Sequence, residues 1–167
     1  MKRLLEITDS DLGLKVKSEV KYTKRVAARA ILRKGKLIAL LNVSKQNYYK
    51  LPGGGVDEGE SIEGGLNREM LEEVGCSVQI LGEVGEIVEL RSQWNLSQTS
   101  YCFLAEVAKE GKQDFTAEEL EDGFTLVWVS LDRAIDLLKE SKPLTYDGKF
   151  IVRRDLEFLQ EAKKSFN

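Results

Sequence analysis

The chain has 167 residues, 42% of them hydrophobic and 32% charged. That length suits one compact domain with its own core, and the composition excludes disorder as the main state. Lys plus Arg total 25 against 28 Asp plus Glu, a net charge of −3, and there is no histidine. An acidic balance speaks against a protein built mainly to ride on nucleic-acid backbone. Without histidine there is no Ser-His or Cys-His nucleophile and no His-ligated zinc, so any metal must be held mainly by oxygen. Cys76 and Cys102 are too few for a zinc ribbon or a disulfide framework and read as reduced, buried thiols. No apolar run suits a signal peptide or approaches the roughly 20 residues of a membrane span. The expectation is one domain over 1–167, cytoplasmic, with no membrane partner.

In chain order, residues 21–33 alternate charged and small apolar groups. Lys34-Gly35-Lys36 reads as a tight turn, and Leu37 to Val43 as the second arm of a β-hairpin. Tyr48 to Leu51 adds a short strand before Pro52. Gly53-Gly54-Gly55 must be a loop, since three glycines would unravel a strand or helix. Ser61 to Val74 reads as a helix: Ile62, Leu66, Met70 and Val74 recur every four residues, with Leu71 beside them. Ser61 suits its N-cap, Glu63 its first turn, and Gly75 its stop. Residues 77–107 are mostly strand, clearest over Tyr101 to Val107, and Phe124 to Val129 is another. Ser130 caps a helix with Leu131, Ala134, Ile135 and Leu138 on one face. Asp147-Gly148 reads as a turn before a last helix with Val152, Leu156 and Leu159 inward. Strands and helices mix without regular alternation, which favours an α/β (α+β) fold in which helices pack on a mixed sheet.

The dense feature runs from Leu51-Pro-Gly-Gly-Gly-Val-Asp-Glu-Gly-Glu60 to Arg68-Glu-Met-Leu-Glu-Glu-Val-Gly-Cys76. On an α-helix Glu69 and Glu73 face the same way one turn apart, and Glu72 joins that side. Like charges at this spacing repel, and a hard divalent cation would offset the repulsion. The glycine loop upstream lets backbone approach an anion or ion without obstruction. An exposed acidic face is the plainer reading of the three glutamates taken alone.

The full spacing resembles the signature of the Nudix hydrolases: Gly, five residues, Glu, seven residues, Arg-Glu, an aliphatic residue, any residue, Glu-Glu, any residue, Gly, and an aliphatic residue. Here these positions are Gly54, Glu60, Arg68, Glu69, Met70, Glu72, Glu73, Gly75 and Cys76. Met70 and Cys76 at the aliphatic positions are the mild departures. The resemblance implies an α/β/α sandwich around a mixed central sheet, and Mg²⁺ or Mn²⁺ held by Glu69, Glu72, Glu73 and the Gly53 carbonyl. It implies that Glu72 is a further ligand or the proton acceptor, that Glu73 shares in catalysis, that Arg68 orients the glutamates and that Glu60 supports them. Family members often add a glutamate outside the signature. Glu118, Glu119 and Glu121, in the expected loop before Trp128, are the candidates, with Glu121 preferred.

The implied reaction is hydrolysis of a nucleoside diphosphate linked to another group, the first choice being a nucleoside triphosphate, oxidised or not. Tyr49, Gly54, Gly55 and Trp94 are the residues expected to meet the substrate. The alternative is a non-catalytic module that senses a nucleotide or docks on a partner. Removal of an RNA cap is a third reading, and it would need a basic groove. The expected partner is a small nucleotide and not a nucleic-acid polymer, and a homodimer is left open.

Overall fold

The structure is a computed structural model that describes residues 1–165. Its strands are β1 (Arg3–Thr8), β2 (Thr23–Lys34), β3 (Leu37–Val43), β4 (Tyr48–Lys50), β5 (Cys76–Arg91), β6 (Leu96–Glu110) and β7 (Phe124–Val129). The helices are α1 (Ile62–Glu69), α2 (Ala117–Glu121), α3 (Leu131–Glu140) and α4 (Tyr146–Ser165). The seven strands form one sheet in the order β1-β5-β6-β2-β3-β4, with β7 paired to β3. β1 runs parallel to β5 and β2 parallel to β6, while the other pairs are antiparallel.

Helices cover both faces. Phe150, Phe158 and Leu159 of α4 and Ala134, Ile135 and Leu138 of α3 pack with Ile31, Leu40, Leu51 and Ile87. On the other face Leu66 of α1, with Met70 and Val74 beyond it, packs on Ala28, Ala30, Leu32, Ala39 and Phe103. Central β2 is therefore buried without interruption from Ala27 to Leu32, apolar at every position except the buried Arg29, as expected of a strand covered on both sides.

The hairpin forms, but β2 and β3 pair only at Arg33–Ile38 and Lys34–Leu37, beside the Gly35 turn. Beyond that the strands separate, and residues 52–56 enter the wedge. The Ala30 and Ala28 amides donate to the Pro52 and Gly54 carbonyls at 3.1 and 3.0 Å, and the Val56 amide donates to Val26 at 3.0 Å. The glycine loop is thus laced into the sheet plane and is not a free loop.

Several sequence expectations change. The helix begins as expected, with the Ser61 hydroxyl accepting from the Gly64 amide, but α-helical pairing ends at Glu69 and Met70–Val74 form a π-helical turn. Leu71 lies outside the apolar stripe and is half exposed. Glu118, Glu119 and Glu121 belong to α2, not to a loop, because Thr116 and Glu119 form a reciprocal capping box. Asp147 and Gly148 lie in the first turn of α4. In that helix Val152 and Leu156 are only half buried, and Phe150, Arg154, Phe158 and Leu159 are the innermost residues. Strand β1 was not foreseen; its pairing with β5 lies more than 80 positions away, beyond local pattern. No described helix is long and apolar enough to cross a membrane, and both cysteines are free and buried.

Candidate active site

Each glycine of the loop meets a different neighbour. A Cβ on Gly53 would strike the Ala28 carbonyl, and its φ of +128° suits glycine alone. A Cβ on Gly54 would overlap the Glu69 carboxylate, so Glu69 lies directly against the loop backbone. A Cβ on Gly55 would come within 2.7 Å of Arg25 Nη2.

Arg68 joins the loop to the helix. Its Nε and Nη2 donate to the two Glu60 oxygens at 3.2 and 3.1 Å. Nη1 donates to Glu69 at 2.8 Å and lies 3.5 Å from Glu72, and Nη2 also donates to the Gly55 carbonyl at 2.8 Å. The hydrogen bonds to Glu60 raise the guanidinium pKa further, and the same bonds lower that of the partly buried Glu60 carboxyl. A planar five-donor fork can serve four acceptors at once, which an ammonium cannot.

The three glutamates do not share one flank. Glu69 and Glu72 lie on the Arg68 side, but the Glu73 side chain is only 1% exposed. Its Oε1 accepts from Lys50 Nζ at 2.8 Å and its Oε2 from the Gly53 amide at 2.6 Å. Glu73 and Glu69 meet adjacent residues of the loop, Gly53 and Gly54, with Glu73 on the buried side. The carbonyls left over at the helix end are taken up by the segment after β6. Asp114 N donates to Glu72 O at 2.9 Å and Gln113 Nε2 to Glu73 O at 2.6 Å. Burial pushes the Glu73 carboxyl pKa up, opposed by Lys50 and the Gly53 amide. Glu72 is also raised, by partial burial and by the charge of Glu69, with Arg68 opposing and Glu119 and Asp114 adding to it. Glu119 and Asp114, rather than the preferred Glu121, are thus the downstream acids whose charge reaches Glu72.

Among the described residues, no three acidic, His or Cys side chains gather around one point as a preformed metal cage. The all-oxygen donor set still fits Mg²⁺ or Mn²⁺, since Mg²⁺ is ordinarily held by one or two carboxylates with water and substrate phosphate completing its shell. Glu69 and Glu72 are the pair available for that.

The two aromatic candidates lie elsewhere. Tyr49 packs against the α3–α4 core and lines a cavity of about 410 Å³ with Asn42, Arg133, Leu137 and Glu140, whereas its neighbour Lys50 reaches Glu73. Alternation along β4 separates the two side chains. Trp94 is 52% exposed in the β5–β6 turn, its ring 5.4 Å from Tyr146 and 5.7 Å from the Arg91 guanidinium. Arg91 is buried and donates to Glu89 at 2.7 Å. Arg154 also donates to Glu89, at 3.1 Å, and to Asp155 at 2.7 Å, while Asp155 accepts from the Leu51 amide at 2.8 Å. This buried network ties β5 and α4 to the residue before Pro52. Sequence reasoning missed it; its one signal was the unbroken charge within otherwise apolar segments.

A glycine loop laced into a split mixed sheet and clamped by an arginine to an acidic helix defines a hydrolase of the α/β/α sandwich class. Residues 23–148 match the NUDIX domain, and the chain belongs to the Nudix hydrolase family. An RNA pyrophosphohydrolase of Sulfurovum sp. (strain NBC37-1) is 30% identical over 127 residues, covering 70% of this chain and 77% of that protein. Among solved structures, a NUDIX hydrolase from Nitrosomonas europaea superposes with a TM-score of 0.65 at 17% identity, covering 86% of this chain and 90% of that one. An ADP-ribose pyrophosphatase from Streptococcus suis 89-1591 gives 0.55 at 21% identity, covering 87% and 96%. At these identities the structures share the fold.

Proposed function

We propose that the protein hydrolyses a phosphoanhydride bond in a nucleoside diphosphate linked to a further group, with Mg²⁺ or Mn²⁺, and that a nucleoside triphosphate is its simplest substrate. The observation that carries this is the placement of Glu69 against Gly54 with Arg68 bridging Glu69, Glu60 and the Gly55 carbonyl. Glu69 and Glu72 would hold the ion, which supplies charge neutralisation of the pyrophosphate and a more acidic water. The open backbone at Gly54 and Gly55 admits phosphate oxygens, and the Arg25 guanidinium over Gly55 offers them a cation. Glu72, 41% exposed at its side chain and with its pKa raised, accepts the proton of the attacking water. As the water oxygen bonds to phosphorus, the anhydride oxygen leaves with its electron pair. Glu73 fixes Gly53 and Lys50 with one bond to each oxygen, which leaves a free lone-pair site on each.

The second reading, a nucleotide-binding module without turnover, is favoured by one observation: Glu73 is buried against Lys50 and Gly53, and among the described residues no three acids gather around one point. A hydrolysis screen over nucleoside triphosphates, nucleotide sugars, dinucleotides and coenzyme A, with product masses read out, separates the two. Turnover that needs Mg²⁺ or Mn²⁺ and is lost in Glu69→Gln supports the enzyme. Tight binding with no product supports the module.

A further inference from the structure

The three signature glutamates differ in the cation each already has. Glu69 and Glu72 share Arg68, whose Nη1 lies 2.8 and 3.5 Å from them. The same guanidinium serves Glu60, so one positive charge faces three carboxylates and the cluster stays negative. Glu73 has a cation of its own. Lys50 Nζ donates to its Oε1 at 2.8 Å, and among the described residues Lys50 makes no other ion pair. Arg29, buried in β2, adds further positive charge near the same carboxylate.

Lys50 is held in that position. It ends β4, its backbone paired with Leu41 of β3, and strand alternation sends its side chain away from Tyr49 and towards Glu73. Phe124 lies over the ammonium, 5.0 Å from Nζ to the ring centre, and Phe115 packs edge-on against Phe124 at 5.9 Å. Only 11% of the Lys50 side chain and 1% of the Glu73 side chain are exposed. Each Glu73 oxygen keeps a lone-pair site, so hydrogen bonding alone does not bar an ion. Charge and water do. A divalent ion on that carboxylate would face a like charge that is itself largely shut off from solvent, in an interior that screens poorly. Mg²⁺ also gives up its water reluctantly, and a carboxylate this buried leaves little room for a hydrated ion. Glu72, with 41% of its side chain exposed, has that room.

Resting on the hydrolase reading above, we propose that Lys50 is a positioning residue: a built-in cation that keeps Glu73 out of the metal shell and fixed beneath the glycine loop. Among the signature acids the ion is then held by Glu69 and Glu72 alone, and Glu73 serves the loop through the Gly53 amide. An ammonium tied to the chain neutralises Glu73 where an additional metal ion would otherwise be needed. The glycine loop is therefore set before any ion arrives.

The test measures Mn²⁺ binding to the nucleotide-free full chain, by calorimetry and by the electron-spin-resonance signal of free Mn²⁺. Wild type is compared with Glu73→Gln, Lys50→Met and Lys50→Met/Glu73→Gln, each first checked for a cooperative melt. Losing even a residue that supports a metal ligand costs about 10–100-fold in metal affinity. Glu73→Gln is instead expected to bind Mn²⁺ within about threefold of wild type, because Glu73 is no ligand while Lys50 holds it. Lys50→Met should bind at least about tenfold tighter, since the freed carboxylate joins the shell, and adding Glu73→Gln should return the affinity to that of wild type. Mn²⁺ should also raise the melting temperature of Lys50→Met more than that of wild type. A Glu73→Gln chain that loses about tenfold or more in Mn²⁺ affinity overturns the proposal, and does so even where Lys50→Met fails to fold. A folded Lys50→Met with wild-type affinity also overturns it, while leaving the hydrolase reading intact. Mn²⁺ binding by none of the four chains rejects the metal-dependent hydrolase reading and this proposal together.

Discussion

Lys50 and Glu73 meet inside the protein, Nζ to Oε1 at 2.8 Å, with side-chain exposures of 11% and 1%. The ammonium also lies 5.0 Å from the centre of the Phe124 ring, so neither charge has ready access to water. The pair joins the strand before the glycine loop to the helix that carries the acids, and the Gly53 amide closes the triangle.

Removing one partner strands the other. Lys50→Met is expected to destabilise the fold by about 3–5 kcal/mol at neutral pH, the cost of leaving a buried carboxylate unpaired. Adding Glu73→Gln should restore much of that loss, because the amide oxygen can still accept from Gly53. Urea unfolding of the two single variants and the double variant measures the coupling; additive losses would show that the pair does not act as a unit.

Arg68 serves Glu60, Glu69 and the Gly55 carbonyl through its three nitrogens, Nη2 being shared between Glu60 and Gly55. A lysine keeps the charge but not the fork. Arg68→Lys is expected to lower kcat/KM about 10–100-fold, as for residues that orient metal ligands. Steady-state kinetics at saturating Mg²⁺ checks this, and wild-type activity in the variant would deny Arg68 an orienting role.

Gly54→Ala and Gly53→Ala should fail differently. At Gly54 the new methyl meets the Glu69 carboxylate, the end of a flexible side chain. The fold should tolerate it while activity falls about 100-fold, since a displacement near 1 Å can cost that much. At Gly53 the methyl meets the Ala28 carbonyl at a φ of +128°, so the melting temperature itself should drop. Comparing melting temperature with activity for each variant separates the two effects.

Glu89 gives the pH prediction. Burial raises its carboxyl pKa, but Arg154 and Arg91 outweigh burial and draw it down to about 2. A carboxyl depressed in the folded state contributes stability that is complete above its unfolded pKa near 4.3 and is lost as pH falls towards 2. Glu89→Gln should therefore melt well below wild type at pH 6, with the gap narrowing between pH 4 and pH 2. A gap that stays constant over that range would show that the network does not depend on the Glu89 charge.

Part of the candidate site's arrangement was readable because its residues are close in sequence. Gly54, Glu60, Arg68, Glu69 and Glu72 fall within one loop and one helix, and a 3.6-residue period places Glu69 and Arg68 correctly against the loop. The same arithmetic could not show that Glu73 is buried, since its partner Lys50 and the residues Gln113 and Asp114 that hold the π-helical turn lie outside the helix's own pattern. Tyr49 shows the same limit: its nearness to Pro52 suggested the site, but strand alternation turned it to the α3 side.

By itself, then, the sequence determined the family signature, the helix capped at Ser61, the loop of three glycines, the hairpin at Gly35 and the apolar faces of α3. Each of these is set by propensity or periodicity within about a dozen residues. Tertiary structure alone decided that β2 and β3 part to admit the loop, that β1 joins β5, that Glu73 turns inward to Lys50, and that Glu89, Arg91, Arg154 and Asp155 share a dry interior. The reason is that buried charges and sheet neighbours are chosen by what lies across the fold. Desolvation leaves a charge no alternative to a partner, and that partner can come from anywhere in the chain.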